Sequence, residues 1–108
     1  MILIDASVWI DHMRRVEPRL QRLMTDRQLL MHPYAIGEIM LGSIASRATV
    51  LTTLTDLQSA PVATHEEVVA LIERERLHGI GIGYVDAHLL ASARLADATL
   101  WTRDKKLL

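Results

Sequence analysis

The sequence predicts an α/β domain built on a parallel sheet, and three observations predict it. Met1-Ile-Leu-Ile4 is an unbroken apolar run closed by Asp5, the pattern of a strand buried on both faces of a parallel sheet. Similar short runs recur at 28–31 and 98–102, with helical patterns between them. At 108 residues, half of them hydrophobic, the chain reads as one domain over 1–108, large enough to bury a core.

Composition narrows the function. Without cysteine there is neither a disulfide framework nor a thiolate metal site. The amino terminus lacks a basic leader, and no apolar stretch approaches the ~20 residues that span a bilayer, so a cytoplasmic protein with no membrane partner is expected. A net charge of -1 argues against blanket polyanion binding and leaves nucleic-acid contact to local clusters. Ten arginines stand against two lysines, and five of them fall between Arg14 and Arg27. The planar guanidinium fork suits phosphate.

The first strand delivers Asp5 to the carboxyl edge of the sheet, where open α/β folds bind ligands. Ser7 follows at once. Asp5 could equally cap the helix that begins near Ala6, since aspartate is a favoured N-cap. Val8 to Met13 reads as a helical turn, and Glu17-Pro18 opens a second helix to about Asp26, with proline suited to a first turn. Arg15, Arg19 and Arg22 are spaced to share a face, either solvated or facing RNA. Gln28–Met31 is the second strand.

His32-Pro33 starts a third helix, Tyr34 to Gly42, in which Glu38 is the only charged residue. A carboxylate among Ile36, Ile39, Met40 and Leu41 needs an arginine partner or a cation. Arg47 to Gln58 is a further helix, with Val50, Leu51, Leu54 and Leu57 as its buried face. After Pro61, Val62-Ala63 reads as a short strand. Thr64 and Glu67 then form a capping box for a helix to about His78. Gly79-Ile-Gly-Ile-Gly83 follows a helix rather than a strand and lacks the dinucleotide spacing, so it reads as a turn.

The turn feeds an alanine-rich helix, Tyr84 to Ala96. Asp86 sits in its first turn, where the macrodipole stabilises negative charge. His88 reads as a core or rim residue, with a ligand or a base as the other possibility. The last strand, Ala98 to Thr102, delivers Thr102 and then Asp104. Asp5, Glu38, Asp86 and Asp104 thus point to one acidic crevice, where crowded carboxylates cannot all ionise comfortably without a cation. An all-oxygen set favours Mg²⁺ or Mn²⁺ over zinc.

Ile4-Asp5-Ala6-Ser7, Gly37-Glu38-Ile39 with Leu41-Gly42, Val85-Asp86-Ala87 and Trp101-Thr102-Arg103-Asp104 together resemble the PIN-domain ribonucleases, most closely the VapC toxins of bacterial toxin-antitoxin pairs. The resemblance runs the length of the chain in the right order. It implies a three-layer α/β/α sandwich around the sheet, Mg²⁺- or Mn²⁺-dependent RNA cleavage, a homodimer, and inhibition by a cognate antitoxin. It makes Asp5, Glu38, Asp86 and Asp104 the catalytic and metal-binding acids, with Ser7 and Thr102 as hydroxyls lining the site. Arg103, Lys105 and Lys106 lie beside it and could hold flanking phosphates. Family members usually continue through a short helix to a last strand, whereas this sequence stops at Leu108, so either the strand ending at Thr102 lacks that edge neighbour or the sequence is a shortened form.

Two other readings remain at this stage. An aspartate after the first strand also marks aspartate-dependent phosphatases and receiver domains. The former want a second aspartate where Ser7 stands, and the latter want paired acids that are absent near Asp5. A PIN-like binding module without catalysis is the remaining alternative.

Overall fold

In the computed structural model, which describes residues 1–107, the amino-terminal apolar run becomes strand β1 (Ile2–Ile4). It lies between β2 (Leu29–Leu30) and β3 (Thr99–Trp101) in a parallel sheet of order β2-β1-β3. Ile2 pairs with Leu29 on one side and Thr99 on the other, and Leu3 with Leu30 and Leu100. Leu3 and Ile4 are fully buried, worth about 1.5–3 kcal/mol each. This is the energetic reason the apolar run is central. Among the described residues β3 pairs with β1 alone.

Among the described residues six α-helices connect and cover the strands: α1 (Ala6–Arg14), α2 (Pro18–Thr25), α3 (Pro33–Met40), α4 (Arg47–Asp56), α5 (His65–Arg74) and α6 (Tyr84–Leu95). Leu20 of α2, Ala35 and Ile39 of α3, Leu54 of α4, and Leu89 and Ala93 of α6 join the strands in the main core. The indole Nε1 of buried Trp9 donates to Met31 Sδ at 2.9 Å, so its polar atom is satisfied inside that core. Helix α6 also presents Ala87 and Ala91 to Val68 and Leu71 of α5. Small residues let α6 pack on both sides, which completes an α/β sandwich. The predicted box starts α5, with Glu67 N donating to Thr64 Oγ1 at 3.1 Å and Thr64 N to Glu67 Oε1 at 2.8 Å.

Three expectations are corrected. Val62-Ala63 is not a strand; the chain pairs earlier, in a parallel bridge between Met31 and Ser59. Met31 N donates to Gln58 O and Ala60 N to Met31 O, both at 2.8 Å, so the backbone partners are used before the apolar pair arrives. Leu51 is 42% exposed, and Leu54 is the buried residue of α4. Arg15 terminates α1 rather than lying on α2, so it does not continue the stripe of Arg19 and Arg22.

Because the strands are parallel, their carboxyl ends reach one edge. Asp5, His32 and Thr102 emerge there. Helix α3 starts at that edge, and α6, which precedes β3, runs back so that its first turn lies there too.

Candidate active site

Asp5 is 5% exposed and every oxygen of its carboxylate is used. Oδ1 accepts from Ala6 N at 2.8 Å, which makes Asp5 the cap of α1. Oδ2 accepts from Ser7 Oγ at 2.7 Å and from Thr102 Oγ1 at 2.8 Å. Each hydroxyl in turn accepts from a backbone amide: Ser7 Oγ from Arg103 N and Thr102 Oγ1 from Asp104 N, both at 3.0 Å. Those amides fix the hydroxyl rotors, so both protons point at Asp5. Capping and site-building are therefore compatible roles of one side chain.

The same segment places Asp104. Its Oδ1 accepts from Lys106 N at 3.0 Å at the head of a single 3-10 turn, Lys105–Leu107. Local hydrogen bonds hold Asp104 beside Thr102.

Asp86 and Glu38 come from helices. Asp86 lies in the first turn of α6, and its Oδ2 accepts from Gly83 N at 3.2 Å. Partial burial pushes its carboxyl above the ordinary range; the Gly83 bond and Lys106 oppose this, and the charges of Asp5 and Asp104 add to it. Glu38 is exposed over much of its side chain. Its surroundings still desolvate the carboxyl enough to raise its pKa, with Asp5 and Asp86 raising it further. Among the described residues no arginine or lysine pairs with Glu38. The ion pair that was the alternative to a cation is thus not formed.

Glu38 thus lies in the field of Asp5 and Asp86, and Asp86 in that of Asp5 and Asp104. They do not yet touch: among the described residues no three acidic or histidine side chains stand close enough to cage a metal ion. The donor set, carboxylates with two hydroxyls behind one of them, is the hard-oxygen chemistry of a divalent ion.

Arg103 departs from expectation. Its backbone faces the site, while its guanidinium turns away, to Asp11 at 3.2 Å and Glu17 at 3.2 Å. It lies over the Trp101 ring at 5.5 Å, with Arg19 over the same indole at 4.7 Å. Beside it is a cavity of about 550 Å³ that Arg14 and Arg15 also line. Lys106 reaches toward Gly81 O at 3.5 Å, and Lys105 is exposed.

Sequence reasoning missed His32. It is completely buried at the end of β2 and its Nδ1 accepts from Tyr34 N at 3.0 Å, capping α3. Burial, and secondarily His88, lower its pKa to about 4, so the ring is neutral. The signal was its position: it closes a buried strand just before a proline, at the edge where Asp5 also emerges. His88 is a core residue, 3% exposed, as its apolar helix suggested.

The PIN domain family matches residues 2–108. Ribonuclease VapC32 from two strains of Mycobacterium tuberculosis is 51% identical over 108 residues, covering 99% of this chain and 87% of the relative. A crystal structure of PAE2754 from Pyrobaculum aerophilum superposes with a TM-score of 0.68 over 99% of this chain and 82% of its own, at 19% identity, a likeness of fold alone. Fold, site order and relatives agree that this chain belongs to the PIN-domain family and, within it, to the VapC branch.

Proposed function

We propose that this protein is a divalent-metal-dependent endoribonuclease, the toxin of a toxin-antitoxin pair, cutting RNA at the crevice of Asp5, Glu38, Asp86 and Asp104. One observation carries the reading. Two of the four carboxylates assigned to the strand-end crevice, Glu38 and Asp86, are raised in pKa, first by desolvation and then by neighbouring acids of the set. Such mutual strain is what a divalent cation relieves.

Mg²⁺ or Mn²⁺ is the ion that fits, and Asp5, Asp86, Asp104 and Glu38 would hold it. When bound, it lowers the pKa of water and steadies charge on the phosphate. The chain's own contribution is positional. Ser7 and Thr102 hold Asp5 in one orientation, and Asp104 follows from the same hydrogen-bonded segment. Glu38 and Asp86, the acids without such a shell, can adjust to the ion. Arg14 and Arg15 supply cationic surface for more distant phosphates, whereas the Arg103 guanidinium is taken up by Asp11 and Glu17. The 51% identity to a protein named for ribonuclease activity supports the substrate class.

A homodimer and a cognate antitoxin complete the proposal. Among the described residues no helix is long and apolar enough to cross a membrane, which fits a cytoplasmic complex of that kind.

The test is cleavage of labelled RNA by the purified protein. Cutting should require Mg²⁺ or Mn²⁺ and stop with EDTA. Phosphate release from a phosphomonoester without RNA cleavage would support the phosphatase chemistry instead. Metal binding with no cleavage of any RNA would support the inactive binding module.

A further inference from the structure

Aromatic residues are scarce in this chain: two tryptophans, two tyrosines and no phenylalanine. Trp9 is core and Trp101 is stacked by arginines. Both tyrosines, in contrast, are at the surface, Tyr34 41% and Tyr84 47% exposed. They occupy the first turns of α3 and α6, the two helices that begin at the strand-end crevice.

The two rings are fixed against a common support. His88 is buried between them, its ring centroid 4.8 Å from Tyr34 and 4.7 Å from Tyr84, edge-to-face in both cases. Tyr84 is held by its hydroxyl, 3.0 Å from His88 Nε2 and 2.7 Å from His65 Nδ1. One hydroxyl proton cannot serve both nitrogens, so Tyr84 donates to one imidazole and accepts from the other. Tyr34 is held through its backbone bond to His32, whose ring it meets edge-on at 4.9 Å. Exposed side chains this well anchored lose little rotamer freedom when a ligand stacks on them.

Their position relative to the acids decides the ligand. Tyr34 and Glu38 are four residues apart on α3 and so share a face, with about 6 Å between their Cβ atoms. Tyr84 starts the turn that carries Asp86. Both rings thus sit within about one helical turn of an acid along the chain, on helix starts at the edge where an RNA phosphate would be held. They offer π-surface and not charge, which suits a base and not a further phosphate. Unpaired RNA bases are bound by stacking on such rings.

We propose that Tyr34 and Tyr84 form a stacking platform for an unpaired nucleobase adjoining the scissile phosphate. This rests on the ribonuclease reading and adds a preference for unpaired RNA with a base at one defined position.

The experiment uses the whole chain with Mn²⁺ and an unstructured RNA whose cut has been mapped with the parent protein. Tyr34→Leu and Tyr84→Leu should each lower kcat/KM about 5- to 100-fold, mainly through KM. Tyr34→Phe, which keeps the ring, should stay near the parental value. Stabilisation of all three variants by Mn²⁺ should match the parent, showing that the acids are undisturbed. Single abasic nucleotides on either side of the cut should then identify one position where the parent loses a similar factor and the leucine variants lose nothing further.

Leucine variants that cut at the parental rate would overturn the platform while leaving the nuclease intact. So would Tyr34→Phe falling with Tyr34→Leu, or losses that multiply with the abasic substitution. Leucine variants that change self-association but not RNA cleavage would place the tyrosines in a protein contact and overturn it as well. A parent that cuts no RNA removes the ribonuclease reading and this proposal with it.

Discussion

The two sides of the crevice hold their acids differently. On the strand side Asp5 is buried and bonded by an amide and two hydroxyls, each hydroxyl itself fixed by a backbone amide. On the helix side Glu38 has no ion pair among the described residues and Asp86 has one backbone donor, and both carboxyls are pushed up. The strand side is therefore a preorganised anchor. The helix side is left electrostatically unsatisfied, with its charge available to a cation.

This contrast is broken most sharply by removing charge from each side. Asp5→Asn and Glu38→Gln should both reduce RNA cleavage by at least about 100-fold, because each withdraws a proposed ligand. Their metal-free stabilities should diverge. Asp5→Asn takes an acceptor from two hydroxyls and should cost about 1–3 kcal/mol, whereas Glu38→Gln relieves repulsion and should cost nothing. Urea denaturation in EDTA checks the pair; equal losses would mean that the two sides are built alike.

Acid sharpens the contrast at the start of α3. His32 remains neutral in the fold down to about pH 4, while in the unfolded chain it charges near its ordinary value of 6.5. Its contribution is thus complete above the ordinary value and is lost as pH falls through about 4, on the order of 3 kcal/mol in all. Glu38 and Asp86 act in the opposite sense. Their raised folded pKa values favour the fold at low pH, and that share is lost as pH rises through the raised values. His32→Asn keeps a capping acceptor, leaves His88 and Tyr34 facing an uncharged group, and should flatten the acid limb in a comparison of unfolding midpoints. A limb unchanged by the substitution would assign acid sensitivity elsewhere.

Thr102→Val tests the anchor alone. It keeps the shape but removes the donor to Asp5 and the acceptor of Asp104 N, and should cost about 2 kcal/mol. Ser7→Ala, at a less buried hydroxyl, should cost about 1 kcal/mol. Both should weaken cleavage less than Asp5→Asn does. A Thr102→Val protein as stable as the parent would show that the hydroxyl shell is not what holds Asp5.

The strand side was also the more legible in the sequence. An apolar run ending in an acid announces a buried strand and its carboxyl end, and Asp5 and Thr102 are where that pattern places them. Periodicity was weaker where one residue decided the outcome. Leu51 fits the α4 stripe yet faces water, because α4 meets the core mainly through Leu54. Val62-Ala63 has strand composition, but Met31 had already taken its backbone partners from Gln58 and Ala60. Pairing of that kind is decided between distant segments and leaves no local mark. His32 and the two tyrosines were overlooked for a related reason. Their significance comes from α3 and α6 starting at the same edge, a consequence of parallel topology and not of neighbouring residues.

We propose that the acids of both sides form one divalent-ion site. Calorimetric titration of Mn²⁺ into the metal-free protein tests it most directly, with Asp5→Asn, Asp86→Asn and the exposed control Asp56→Asn measured in parallel. Binding should be saturable in the parent and in Asp56→Asn, and lost in both Asp5→Asn and Asp86→Asn. Binding that survives in either site variant, or a parent that takes up no Mn²⁺, would contradict it.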